Sequence, residues 1–305
     1  MAVRALRLLV RNVTNIDHAL VFYQQALGFR VIGERQDAPD LATLLSFNGT
    51  IQTICLQLGA QKIMLACYDP PGKAYRLGSN AADLWFQHIA IVTADIQSSY
   101  ELLQFHGAVP ISSGGPQTLP ASSGGAVAYK CRDHDGHPLE LISLPTTTRH
   151  AQGGNLGYDH SAISVGDIER SIGFYRDQLG LSLSAHQLNQ GQAQDRLDGL
   201  DAVAVDVVAM LPQDQPCPHI ELLGYRQPSG RMASCVQRAS DIAADRLVLE
   251  VDDLPSLLGQ LQDCEPGSVL RQGRFAGTKA ALIHDPDGHE FILIDSKYPN
   301  NAWER

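Results

Sequence analysis

Two stretches of the chain, His88-Ile-Ala-Ile-Val-Thr-Ala-Asp95 and His160-Ser-Ala-Ile-Ser-Val-Gly-Asp167, each set a histidine at the start of an alternating apolar run that ends on an aspartate. Downstream of each lies an apolar strand holding a single acid, Leu139-Glu140-Leu-Ile in one case and Ile220-Glu221-Leu-Leu in the other. Imidazole and carboxylate together suit a borderline divalent ion in octahedral geometry, so His88, Glu140, His160 and Glu221 are expected to hold one metal. Fe, Mn, Ni, Co and Zn all accept such donors, and the sequence does not choose among them. A single histidine on a strand is ordinarily structural, and an acid between leucines ordinarily faces solvent. Two such pairs at equivalent places favour the metal, because a buried carboxylate without a partner is costly to keep.

The elements that must position these residues come from a repeat. Phe22-Tyr23-Gln-Gln-Ala-Leu27-Gly28 matches Phe174-Tyr175-Arg-Asp-Gln-Leu179-Gly180, and Asp133-His-Asp135-Gly136-His137 matches Asp285-Pro-Asp287-Gly288-His289, both at an offset of 152 residues. Two distant matches at one offset mark a duplication. Within it, His88 and His160 align at an offset of 72, with Asp95 on Asp167, so the chain reads as four copies of one unit. Each unit opens on an alternating strand and an Asp or Asn helix cap. A helix follows, as Ile168, Ile172, Tyr175 and Leu179 fall at helical spacing and Gly180 suits a left-handed C-cap. Further strands complete the order β-α-β-β-β, an α+β architecture. The halves are read as residues 1–148, with modules 1–72 and 83–146, and 156–305, with modules 156–228 and 242–298. The Pro145 to Gly157 stretch is the expected linker.

With these residues the chain resembles the vicinal oxygen chelate superfamily of glyoxalase I, bleomycin- and fosfomycin-resistance proteins and extradiol dioxygenases. The resemblance rests on His88 and His160, the two Phe-Tyr signatures and the two Asp-x-Asp-Gly-His turns, and it covers nearly the whole chain. It implies that pairs of modules form open, cup-shaped mixed sheets lined by the first-strand histidine and last-strand glutamate. Modules one and four lack these ligands, with Leu8 and Met64 in the first and Arg246 and Ile292 in the fourth. Pairing one with two and three with four would give each cup one His and one Glu. Pairing two with three gives one cup all four ligands and the other none, and this clean split favours that arrangement.

Ligand number bears on chemistry. A ring-cleaving oxygenase uses two histidines and one carboxylate, leaving three positions for substrate and dioxygen. Four protein ligands leave two, enough for a bidentate oxygen substrate activated by Lewis-acid polarisation, with Glu140 or Glu221 as the base. A lyase, isomerase or epimerase is therefore expected, with an Fe(II) dioxygenase and a non-catalytic drug-binding protein as alternatives. Bacterial glyoxalase I places an Arg four residues after its first histidine and an Asn four after its first glutamate, both helping to hold glutathione. Here Ser164 and Tyr225 stand there, which argues for a different chelating substrate.

The bounds agree with a small-molecule enzyme. The 305 residues are 44% hydrophobic and 18% charged, a globular composition. A net charge of −10 without a basic cluster disfavours nucleic acid and anionic membrane as partners. Six cysteines without a Cys-x-x-Cys pair suit reduced thiols, and the short apolar run at the start reads as a strand, so a cytoplasmic monomer or homodimer is expected. His219 shares a strand face with Glu221 and is expected at the rim or in support of the metal. His137 and His289 belong to their turns, Arg246 to an ion pair in the ligand-free cup, and the segments 112–125 and 188–200 are the loops that could cover a cup.

Overall fold

The computed structural model describes residues 2–146, 154–232, 237–264 and 267–296, so most of the expected linker and Cys235 lie outside the described residues. Module one runs β1 Val3–Asn12, α1 Ile16–Gln25, β2 Arg30–Val31, β3 Gln36–Asp37, α2 Pro39–Leu44, β4 Thr50–Leu58 and β5 Gln61–Asp69. Module two runs β6 Gln87–Thr93, α3 Ile96–Phe105, β7 Val109–Pro110, β8 Gln117–Thr118, β9 Val127–Arg132 and β10 Pro138–Ser143. Module three runs β11 Asn155–Ser164, α4 Ile168–Gly173, β12 Ser182–Gln190, α5 Gln192–Asp198, β13 Ala204–Leu211 and β14 His219–Gln227. Module four runs β15 Arg246–Val251, α6 Leu254–Cys264, β16 Val269–Phe275, β17 Thr278–His284 and β18 Glu290–Asp295.

The start signal of each first helix is the one the repeat carries. Asn15, Asp95, Asp167 and Asp253 each accept a hydrogen bond from the backbone N–H three residues on, at 3.0–3.1 Å, satisfying a donor that the helix itself leaves free. Gly28 and Gly180 end the helical stretches at φ +79° and +71°, a conformation that disfavours any side chain.

Two nine-stranded mixed sheets result, and both are open. One joins module one to module four through the antiparallel pair β1–β15; the other joins module two to module three through β6–β11. This is the pairing that the distribution of ligands favours. The first helices cover the outer faces, where Phe22, Leu103, Ile172 and Leu257 join Leu9, Ile89, Ile163 and Leu249 in one continuous core. Burying each such side chain contributes roughly 1.5–3 kcal/mol, so the helices are held by packing as well as by their caps. What remains to be filled is the inner face of each cup.

Candidate metal centre

The inner face of the second sheet is organised in cross-strand rows. Lys130 on β9, Glu140 on β10, Ala90 on β6, His160 on β11 and His219 on β14 lie opposite one another in successive pairs. In the adjacent row His88 on β6 faces Ala162 on β11, which faces Glu221 on β14. Side chains two apart on a strand share a face, so all these groups converge on the concave side. Ala90 and Ala162, both fully buried, sit between the ligand positions and leave room for an ion where a larger residue would fill the floor.

Three of the four expected ligands converge most closely: one donor atom each from His88, Glu140 and His160 lies within 4.8 Å of the others. Glu140 Oε2 is 2.8 Å from His88 Nε2, and Glu221 Oε2 is 3.4 Å from His160 Nε2. Both His88 nitrogens and His160 Nε2 are buried without a hydrogen bond of good geometry, although Glu140 Oε2 approaches His88 Nε2 to 2.8 Å. Orphaned imidazole nitrogens aimed at carboxylates are what a cation would satisfy.

The electrostatics point the same way. Burial lowers the His88 pKa, whereas at His160 the Glu221, Asp159 and Glu140 charges outweigh burial and raise it to about 9. Burial acts to raise the Glu140 pKa, yet Lys130 and His88 hold it at about 2. A pocket that draws protons to one imidazole while keeping its carboxylates ionised favours positive charge, and a divalent ion fits it.

Asp159 and Lys130 join the site beyond the residues that the sequence singles out. Asp159 accepts a hydrogen bond from His160 Nδ1 at 3.1 Å, the support that a ligating histidine ordinarily has on its second nitrogen. Asp159 falls at an irregularity in the β6–β11 register, which lets it reach the ring of its own neighbour. His219 is buried at the edge of the group, 3.7 Å from Glu221 and 3.8 Å from Asp159. Lys130 is almost fully buried, 2.7 Å from Asp198 and 4.0 Å from Glu140. An isolated lysine in the apolar run Val127-Ala-Tyr-Lys-Cys, ten residues before Glu140, is the signal that marks it.

The two loops expected to cover a cup meet over this one. Ser112 Oγ donates to Leu197 O at 2.7 Å and Ser113 N donates to Arg196 O at 2.8 Å, tying α5 of module three across to module two. Asp198 at the end of α5 accepts from Lys130, Gln194 and Tyr225. Beneath α5 is a cavity of about 190 Å³ lined by all four expected ligands.

In the other cup apolar residues take most of the equivalent positions, with Arg246 at that of His88. Val10 and Val248 replace the two alanines, and Leu8, Met64 and Ile292 join them in a packed cluster. Arg246 pairs with Glu290 at 2.6 Å, the ion pair expected of it. His137 is buried and His289 half-buried in their turns against Asp133 and Asp285, at 2.9 and 3.0 Å.

The Glyoxalase/Bleomycin resistance protein/Dioxygenase superfamily model matches residues 6–141 and 157–293, and the chain belongs to that superfamily. It is similar to a lactoylglutathione lyase of Oryza sativa subsp. japonica, 23% identical over 94% of this chain and 88% of that protein. It is also similar to a 2-epi-5-epi-valiolone epimerase of an Actinomyces species, 28% identical over 47% of this chain and 80% of that protein. The crystal structure of glyoxalase I from Zea mays shares the fold, with a TM-score of 0.64 at 20% identity over 98% of this chain and 93% of that one. Among the described residues no helix is long and apolar enough to cross a membrane, and Cys67, Cys131, Cys217 and Cys264 are free thiols.

Proposed function

We propose that the chain is a metal-dependent enzyme, a glyoxalase-like isomerase or lyase acting on a small chelating oxygen substrate, with the ion held by His88, Glu140, His160 and Glu221. The observation that carries this reading is the convergence of the His88, Glu140 and His160 donors to within 4.8 Å at the floor of a small cavity. A bound divalent ion supplies Lewis-acid polarisation of a chelated oxygen. The chain's own residues divide the remaining work. Glu140, set between His88 and Lys130, serves as a fixed ligand. The Glu221 side chain is 20% exposed and borders the cavity, so it is the carboxylate placed to take a proton from substrate carbon and return it. Asp159 keeps the His160 ring in register, and α5 with the apolar wall of Ile142, Val207 and Leu223 limits water at the substrate.

A glutathione adduct is not the expected substrate. Ser164 donates to Ala81 O at 2.5 Å and Tyr225 donates to Asp198, so neither offers a cation to a peptide carboxylate. Of the two relatives, the lactoylglutathione lyase is by its name a glutathione-adduct enzyme, and the epimerase of 2-epi-5-epi-valiolone supports isomerase-type chemistry without glutathione. The compactness of the two-histidine, one-carboxylate group supports a second reading, an Fe(II) ring-cleaving dioxygenase with Glu221 standing off. Metal analysis comes first: about one divalent ion per chain is expected, lost in the His88→Ala/His160→Ala variant. A chain that folds and takes up no metal under any supplementation refutes both readings. Turnover under anaerobic conditions with a redox-inert ion supports the isomerase or lyase, and substrate-dependent oxygen uptake with iron supports the dioxygenase.

A further inference from the structure

We propose that the cavity beneath α5 is a subsite for a neutral polyhydroxylated ring, a hydroxyketone of cyclitol or sugar type, read by the carboxamides of Asn189 and Gln194. The inference rests on the metal-centre reading and adds the substrate class to it. Strand β12 has its polarity reversed: Gln187 and Asn189 line the cavity while Leu188 between them is 39% exposed. A strand built only for packing would turn the leucine inward, and such local conflicts are concentrated where function is served.

Asn189 and Gln194 are 7% and 5% exposed, and each keeps a side-chain carbonyl oxygen without a hydrogen-bond partner. Leaving a buried acceptor unsatisfied costs roughly 1–3 kcal/mol, so two on one cavity wall call for a ligand that donates. A hydroxyl both donates and accepts, which matches a carboxamide whichever way the amide is turned.

Charge narrows the class. Glu140, Glu221 and Asp159 border the cavity, and its one lysine, Lys130, is neutralised by Asp198 at 2.7 Å. Apart from the ion, the lining offers no unpaired lysine or arginine to a ligand's own carboxylate or phosphate. Size narrows it further. About 190 Å³ falls below the roughly 300–1,000 Å³ of drug-sized pockets and suits one ring. Ile142, Val207 and Leu223 give that ring an apolar wall for its C–H face.

The test is calorimetric titration of the intact chain, metal-loaded and metal-free, with 2-keto-myo-inositol, with quinate as a carboxylated ring and with cyclohexanone as a bare one. The keto-inositol is expected to bind at least tenfold more tightly than either. Asn189→Leu and Gln194→Leu are each expected to weaken it at least tenfold, about 1.4 kcal/mol, with metal content and cyclohexanone affinity unchanged. Quinate or cyclohexanone binding as tightly to the wild-type chain, or both variants binding keto-inositol like wild type, overturns the proposal. A chain that loads the ion but shows no preference among the probes refutes the subsite alone. A chain that takes no ion yet prefers keto-inositol supports the subsite and refutes the metal centre.

Discussion

Tyr23 and Asp133, 110 residues apart, meet in a buried hydrogen bond of 2.9 Å that ties the first helix of module one to the turn of module two. Tyr175 and Asp285 repeat it in the other half at 2.8 Å and the same separation. The two sequence signatures that reveal the duplication are thus partners, each present because the other is. The halves differ in one respect. Arg11, fully buried on β1, donates to Tyr23 and pairs with Asp245, whereas the equivalent position carries Ile163. Asp133→Asn, which strips charge from a cluster containing Arg11 and His137, is expected to cost about 3–5 kcal/mol in chemical denaturation at pH 7. Asp285→Asn is expected to cost less, about 1–3 kcal/mol. Equal costs would show that Arg11 does not depend on Asp133.

The same clusters set a pH dependence. At His137, burial acts to lower the pKa, but the Asp133 and Asp245 charges raise it overall; at His289, Asp285 does the same. A raised folded-state pKa contributes stability that is fully present below the unfolded value of about 6.5 and is lost as pH rises through the folded value. At Asp133, burial acts to raise the pKa, but His137 and Arg11 bring it well below the usual carboxylate range. That contribution is present above the unfolded value of about 3.9 and is lost as pH falls through the folded one. Unfolding free energy is therefore expected to be highest between about pH 4 and 6.5 and to fall on both sides. His137→Gln is expected to flatten the alkaline limb, and an unchanged limb in that variant would assign it to other groups.

How much of this was legible in the sequence follows from what each feature depends on. The helix caps, the C-terminal glycines and the pairing of modules rest on local spacing and on which repeats carry ligands, so a linear reading reaches them. Lys130 stands out in the chain as a lone charge in an apolar run, but only the register of β9 against β10 shows that it faces Glu140. Asp159 is hidden for the opposite reason. Strict alternation points it away from His160, and the local register irregularity turns it back. The meeting of the segments 112–125 and 188–200 depends on two modules closing on each other, which no local pattern encodes.

The two glutamates are expected to separate by role. Glu140→Gln removes the donor held against His88 and is expected to weaken metal binding at least tenfold. Glu221→Gln, which alters a ligand that also serves as base, is expected to weaken metal binding less than Glu140→Gln does while lowering turnover by about 10²–10⁴-fold, the usual worth of a positioned base. Metal content by mass spectrometry alongside kcat distinguishes them. Loss of the ion in both variants would make Glu221 a ligand first.

The last prediction concerns the ion pair that closes the cup. Lys130 and Asp198 face each other at 2.7 Å with side chains 5% and 0% exposed. Removing one partner of a pair buried so deeply leaves the other without compensation, which costs about 3–5 kcal/mol. Lys130→Met and Asp198→Asn are each expected to destabilise the chain by about that amount. The Lys130→Met/Asp198→Asn double variant removes both members of the ion pair and keeps the Ser112 and Ser113 ties to α5, so it is expected to recover about 1–3 kcal/mol relative to the sum of the single effects. Amide exchange over 192–198 should follow the same order, fast in the single variants and slow in the double. Strictly additive costs would mean that α5 is held by its backbone ties alone, with Lys130 and Asp198 acting independently.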